Sequence, residues 1–155
     1  MKAAYRKRVA WPFYFHLAML MPTALCLFGA VSALRYEQPG AALPLLAAGA
    51  FLTLIWWRMR HLEVSVSPDE IAYGFGGLNR RIPGGRVVEV RIERYSFPKY
   101  LGWGYRIGWK ARDRGYTMPR HPEGLRVDYK DASERPCSVY LSLPDPEEAV
   151  AAFKA

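Results

Sequence analysis

At 155 residues and a formal net charge of +8, the chain is long enough for one ordinary domain, or for a smaller domain with a membrane anchor. Hydrophobic residues make up 51% of it, yet the mean hydropathy of −0.11 is that of a soluble protein, so the apolar residues must be concentrated in one part of the sequence. The charge divides evenly, +4 in residues 1–57 and +4 in residues 58–155, which argues against nucleic acid as a partner and is explained by attraction to an anionic membrane surface.

Two uncharged, apolar runs near the N-terminus are each long enough to cross a membrane. They cover residues 9–34 and 38–57, and a membrane-spanning helix needs about 20 residues. The intervening residues 35–40 are rich in turn formers, which predicts an antiparallel helical hairpin. A cleaved signal peptide is the competing interpretation of the first run. Signal peptides, however, have a shorter apolar core of roughly 7–15 residues, and here a second apolar run follows at once.

Basic residues lie before the first helix and after the second, at the end of the hairpin opposite its connecting turn. The connecting turn has only Arg35, whereas six basic residues lie beside the shared ends: Lys2, Arg6, Lys7, Arg8, Arg58 and Arg60. Because Lys and Arg near membrane helices stay on the cytoplasmic side, the sequence predicts that both termini are cytoplasmic. The expected location is a bacterial-type inner or plasma membrane.

After residue 60 the hydrophobic pattern changes to the alternation that is typical of half-buried strands. About seven short strands are predicted between Leu62 and Leu143. Residues 112–124 have no periodicity and are interpreted as a long loop. Asp145 followed by a proline predicts the start of a short C-terminal helix. The predicted domains are therefore residues 1–60, a basic segment with a transmembrane hairpin, and residues 61–155, a cytoplasmic β-domain.

Three short sequences within this β-domain are distinctive: Glu70-Ile71-Ala72-Tyr73, Arg81-Ile82-Pro83 and Gly102-Trp103-Gly104-Tyr105-Arg106. Together with the order of the predicted elements, they resemble the bacterial pleckstrin-homology-like (bPH) membrane proteins. The resemblance implies a membrane-anchored α+β protein, in which a seven-stranded antiparallel β-barrel or sandwich is capped by a C-terminal helix. It also implies a role in binding or assembly and supplies no catalytic motif. The long segment 112–124 departs from the family pattern.

Aromatic and basic residues are concentrated between residues 95 and 114. Tyr105, Ile107 and Trp109 alternate with basic residues, so the apolar set is predicted to face the core and the basic set to face outward. A solvated surface without a partner is one interpretation of this pattern. The other is a contact surface for anionic lipid headgroups or a protein partner, formed by Trp103, Arg106, Lys110, Arg112 and Arg114.

His16 and His61 raise the alternative of an enzyme or a cofactor-carrying membrane protein, because ionisable residues at a membrane are functional candidates. In a regular hairpin they are separated by roughly 13 Å along the membrane normal, too far for one metal ion or haem iron. Contact of His16 with headgroups or water is the simpler interpretation. No Ser or Cys has a recognisable base beside it, so we expect no catalytic site, no cofactor and no metal.

These patterns together favour a non-enzymatic, membrane-tethered binding or scaffold module. An accessory subunit of a larger membrane complex is one form of that role. The expected partners are the membrane itself and either another protein or further copies of this chain.

Overall fold

The computed structural model describes residues 5–77, 80–110 and 112–155. Within these ranges the chain forms two compact units. Residues 11–60 make a helical hairpin, and residues 5–10 join residues 61–155 in a β-unit.

The hairpin consists of helices α1 (Phe13–Arg35) and α2 (Pro39–Met59). Their most apolar windows have mean hydropathies of 2.0 and 1.7, so both helices are long and apolar enough to cross a membrane. Glycines permit their close approach: a Cβ on Gly29 would lie 3.2 Å from Leu45, and one on Gly49 would lie 3.4 Å from Cys26. At the open end, the Trp11 indole donates to the Met59 carbonyl at 2.8 Å. The hairpin is thus held at both its middle and its open end.

The described residues of the β-unit form nine strands in two sheets. The first sheet is antiparallel, with strand order β1-β2-β3-β4. Its strands are β1 (Tyr5–Ala10), β2 (His61–Val66), β3 (Glu70–Phe75) and β4 (Arg80–Pro83). A single turn of 3-10 helix, Gly84–Arg86, leads into the second sheet.

The second sheet has the strand order β5-β8-β9-β7-β6, in which β7 and β9 are parallel and the other pairs antiparallel. Its strands are β5 (Val87–Arg94), β6 (Gly104–Ile107), β7 (Asp113–Thr117), β8 (Glu123–Lys130) and β9 (Pro136–Ser142). Helix α3 (Phe97–Tyr100) lies between β5 and β6 in sequence, and α4 (Pro146–Lys154) follows β9.

The core of the β-unit is built from alternate residues of both sheets. Leu62, Val64 and Val66 alternate with half-buried polar residues on β2, as the sequence predicted. Tyr73 of the first sheet meets Tyr116 of the second edge to face, with ring centroids 5.0 Å apart. Helix α4 begins after Asp145, also as predicted, and buries Ala149 and Ala152. The Asp145 carboxylate pairs with Lys7 at 2.7 Å instead of capping the helix.

Strand β1 corrects the prediction that residues before the hairpin are only a basic flank. Tyr5 and Val9 are buried, while the three basic residues between them remain exposed. All six residues pair with β2, from Tyr5 opposite Val66 to Ala10 opposite His61. The hairpin is therefore an insertion between two neighbouring strands, and the β-unit is discontinuous in sequence.

The predicted loop at residues 112–124 is also corrected, because it contains β7. This strand escapes pattern recognition because its buried residues include Asp113, whose charge is balanced inside the protein, and Gly115, which has no side chain. With β1 and β7 included, the seven-stranded antiparallel arrangement is wrong. The strands lie in two sheets that do not close into a barrel, and one pair is parallel.

The pairing of Ala10 with His61 yields a test of the discontinuous unit. Replacing residues 11–60 by Asn-Gly should join β1 and β2 through a tight hairpin turn. We expect the resulting soluble chain to unfold cooperatively in urea, at a higher midpoint than residues 61–155 alone, because the latter leaves the β2 edge unpaired. Equal midpoints by circular dichroism would show that β1 adds nothing to the unit.

Candidate functional site

A buried ion pair joins β7 and β8 across the intervening strand β9. Arg126 Nη1 donates to Asp113 Oδ1 at 2.7 Å, and the two residues are 5% and 1% exposed. The same nitrogen donates to the Tyr100 hydroxyl at 2.6 Å, and Nη2 donates to Ser138 Oγ at 2.5 Å. These hydrogen bonds offset the burial of two charges. Arg126 Nε has no hydrogen-bond partner among the described residues and lies 3.5 Å from Asp128 Oδ1.

Lys99 extends this pair toward the surface. Its ammonium group lies 3.2 Å from Glu93 Oε1 and 3.3 Å from Asp113 Oδ2. Lys99 belongs to α3, as does Tyr100, whose hydroxyl also donates to Asp113 Oδ1 at 3.2 Å. The two consecutive side chains therefore fix α3 to the sheet.

The electrostatic environment keeps Asp113 ionised. Burial by itself raises the pKa of this carboxyl, but the hydrogen bond and charge of Arg126, with those of Lys99, outweigh burial and leave the pKa below its usual value. Burial raises the pKa of the Tyr100 hydroxyl, so that it remains a hydrogen-bond donor. The Asp113 carboxylate is therefore ionised and is a poor proton acceptor near neutral pH.

Tyrosine rings cover the same face of the sheet. Tyr100 and Tyr140 lie with ring centroids 5.8 Å apart, and Tyr95 lies 6.1 Å from Tyr100. Gly115 provides room for this cover, because a Cβ there would lie 2.9 Å from the Tyr100 ring. The Tyr95 hydroxyl donates to the Gly102 carbonyl at 2.5 Å, which connects the two sides of α3.

The segment held by these contacts exposes large apolar side chains. Those exposed are Phe97, Leu101, Trp103, Ile107 and Trp109. Phe97 and Trp103 are in edge-to-face contact at 6.2 Å. A cavity of about 290 Å³ lies beside Trp109 and is lined also by Ser96, Pro98, Lys99 and Lys110. We call residues 97–112 the exposed segment; Ala111 within it lies outside the described residues.

The predicted alternation fails in part of the exposed segment. Ile107 and Trp109 were expected to face the core, but they are 68% and 78% exposed. Strand β6 ends at Ile107, and the chain turns at Gly108, whose amide donates to the Asp113 carbonyl at 2.8 Å. Ile107 is the last residue of β6, which lies at the edge of the sheet. Beyond it, alternation no longer determines the direction of side chains, so Trp109 does not follow the predicted pattern.

Four of the five predicted contact residues lie in the exposed segment. Trp103, Arg106, Lys110 and Arg112 are all exposed there. Arg114 is different: it is half-buried, donates to the Tyr105 hydroxyl and shares its face of the sheet with Ile107. The register places Arg106 beside Gly115, on the opposite face. The structure thus does not bring Arg114 together with Arg106.

The Asp113–Arg126 pair could not be predicted from the sequence. Asp113 fell in the predicted loop, and Arg126 alternates with Leu125 and Val127 as an outward-facing residue would. The pairing requires β7 beside β9, a parallel contact between distant strands. A buried charge on one strand has no local sequence signature when its partner lies on another strand.

The histidines have partners or positions unlike those of a metal site. His16 Nδ1 accepts a hydrogen bond from the Trp56 indole at 3.1 Å, so a protein group takes the place of the predicted headgroup or water. His61 begins β2, in the other unit. Across the described ranges no group of three or more His, Cys, Asp or Glu residues has a geometry suited to a metal ion.

Removal of the Asp113 carboxylate tests the importance of the cluster. In Asp113→Ala, Arg126 is left buried without its counter-ion, which costs about 3–5 kcal/mol. We expect faster amide hydrogen exchange in residues 96–104, measured by mass spectrometry on the full chain in detergent. Glu134→Ala is the control, because Glu134 pairs with Lys130 on the exposed surface. Similar exchange in both variants would show that the cluster does not hold α3.

Comparison with protein-family models, with curated proteins and with solved structures finds no match for this chain. Its function is therefore inferred from the side chains and helices described above.

Proposed function

We propose that this chain is a membrane-tethered, non-enzymatic binding module, whose β-unit contacts its ligand through the exposed segment. A pleckstrin-homology-like relationship is part of the proposal. It is supported by two β-sheets with a C-terminal helix that contacts strands from both of them.

The tether is the helical hairpin. Both helices have the length and hydropathy of membrane spans, and about a tenth of each apolar window is buried within the protein. A helix from the core of a soluble protein would be mostly buried, so this exposure favours lipid as the surrounding medium.

Strand pairing limits how the chain crosses the membrane. Because β1 and β2 belong to one sheet, residues 5–10 and 61–66 must lie on the same side. The intervening residues then cross an even number of times, and two apolar helices satisfy this condition. The basic residues beside Trp11 and Arg60 favour the cytoplasm as that side.

The observation that carries the binding function is the combination of exposed aromatic and basic side chains. Residues 94–112 contain five basic residues and no acidic residue. Within the described ranges, Arg106, Lys110 and Arg112 form no ion pair, whereas Arg91, Lys99 and Arg126 each pair with acids. Exposed apolar patches of this kind, bordered by polar residues, mark interaction sites.

The chemistry of the buried cluster favours binding over catalysis. Asp113 is ionised and held by Arg126, Lys99 and Tyr100, so it lacks the raised pKa of a general acid or base near neutral pH. The cluster instead holds α3, at the start of the exposed segment, against the sheet and so limits its motion. A rigid surface binds with a smaller loss of conformational entropy.

The topology can be tested with single cysteines at Gln38 and Ser133, after Cys26 and Cys137 are replaced by Ala. An impermeant maleimide applied to intact cells should label position 38, in the turn between the helices, and should not label position 133 in the β-unit. Lysed cells serve as the control, since both positions should then react. Labelling of position 133 alone in intact cells would reverse the proposed orientation.

Occupation of the exposed segment can be tested without knowing the ligand. In the same cysteine-free background, Ile107→Cys should react with maleimide more slowly in permeabilised native membranes than in the purified protein in detergent. Replacing Arg106, Lys110 and Arg112 together by Ser should restore the faster rate, because exposed charges contribute little to folding but attract the ligand.

Two controls separate occupation from general effects. Val88→Cys has the matching exposure of 67% on β5 and should react at one rate in both preparations. A variant with Arg86, Lys130 and Lys154 changed to Ser loses the same charge elsewhere and should preserve protection at position 107. If position 107 is equally reactive in native membranes and in detergent, the exposed segment is only a solvated surface.

A further inference from the structure

The connection between β6 and β7 forms a small projecting tip. Its described residues are Gly108, Trp109, Lys110 and Arg112, and it is flanked by Ile107 and Asp113. The two largest apolar side chains of this region, Ile107 and Trp109, are also among the most exposed in the β-unit. Exposure of such residues on a water-facing tip is costly unless another phase or molecule covers them.

The backbone of the tip is held firmly. Gly108 donates to the Asp113 carbonyl at 2.8 Å, and Asp113 donates to the Lys110 carbonyl at 3.1 Å. Ser138 of β9 donates to the Arg112 carbonyl at 3.1 Å. A Cβ on Gly108 would lie 2.8 Å from the Asp113 carboxyl, which Arg126 holds in place. The backbone of the described tip residues is thus braced against the buried cluster.

The charges of the tip are unbalanced. Lys110 and Arg112 are exposed and have no acidic partner among the residues that the structure describes, and Asp113, the adjacent acid, is turned into the protein. A tryptophan and an isoleucine bordered by cations match the interface of a bilayer with anionic headgroups, where aromatic rings and basic residues both gather.

We propose that the tip inserts Trp109 and Ile107 into the interface of an anionic lipid bilayer, while Lys110 and Arg112 contact the headgroup phosphates. This inference rests on the proposed binding function and names its ligand.

The chain itself favours a bilayer as the occupant. Two residues, Trp11 and Pro12, connect β1 to α1, and a single residue, Arg60, connects α2 to β2. The β-unit therefore stays near any membrane that the hairpin spans, at a high effective concentration of headgroups. A second copy of the tip is a poor occupant by comparison, because two acid-free, positively charged segments repel each other.

The test uses the full chain in lipid nanodiscs, with Cys26 and Cys137 replaced by Ala. An environment-sensitive fluorophore on Ile107→Cys reports on burial of the tip. In discs of phosphatidylcholine with about one-third phosphatidylglycerol, we expect a blue-shifted emission and quenching by brominated lipid acyl chains. In discs of phosphatidylcholine alone, or at 1 M salt where screening acts within about 3 Å, we expect most of both signals to be lost.

A charge-matched pair of variants tests the role of the cations. Changing Lys110 and Arg112 to Ser should remove most of the quenching at position 107, whereas changing Arg86 and Lys154 to Ser should leave it unchanged. A label that remains in water in anionic discs overturns the proposal, as does quenching of equal size in neutral and anionic discs.

The outcomes also separate this inference from the proposed function. If position 107 is protected in native membranes but stays in water in anionic discs, a protein covers the tip and the bilayer is the wrong ligand. If position 107 is unprotected in native membranes, the proposed binding function itself fails.

Discussion

The ion pair between Arg126 and Asp113 is the interaction on which the exposed segment depends. Burying two charges carries a large desolvation penalty, which is offset only when the geometry and the additional hydrogen bonds are good. Here Tyr100, Lys99 and Ser138 supply those bonds. Because two of these three partners belong to α3, the requirement to satisfy the charges also fixes the backbone that carries Phe97 and leads to Trp103.

The second constraint is the insertion of the hairpin between β1 and β2. Strand pairing makes residues 5–10 and residues 61–155 parts of one folding unit, so the unit is complete only when the chain has returned through the hairpin. This arrangement attaches the β-unit to the helices by two chain segments.

The sequence predicted those features that depend on local periodicity. The two apolar helices, the buried face of β2 and the start of α4 all follow from spacing within one segment. Strand β1 was missed because Arg6, Lys7 and Arg8 separate its buried residues and also fit the flank of a membrane helix. Strand β7 was missed because Asp113 is compensated by a residue on β8. For Trp109 the alternation has no structural basis, because β6 ends at Ile107. Ile107 itself is exposed as the last residue of a strand at the edge of the sheet.

The basic residues in and near the exposed segment consequently differ in what they contribute. Arg126 is buried and paired with Asp113, so its charge is part of the folded structure. Arg114 packs against Tyr105 on the other face, where its replacement would disturb the contact between β6 and β7. Lys110 and Arg112 are exposed, and charges of this kind contribute little to folding. Their positive charge is therefore available to the proposed anionic ligand, and their replacement should change binding without a comparable change in stability.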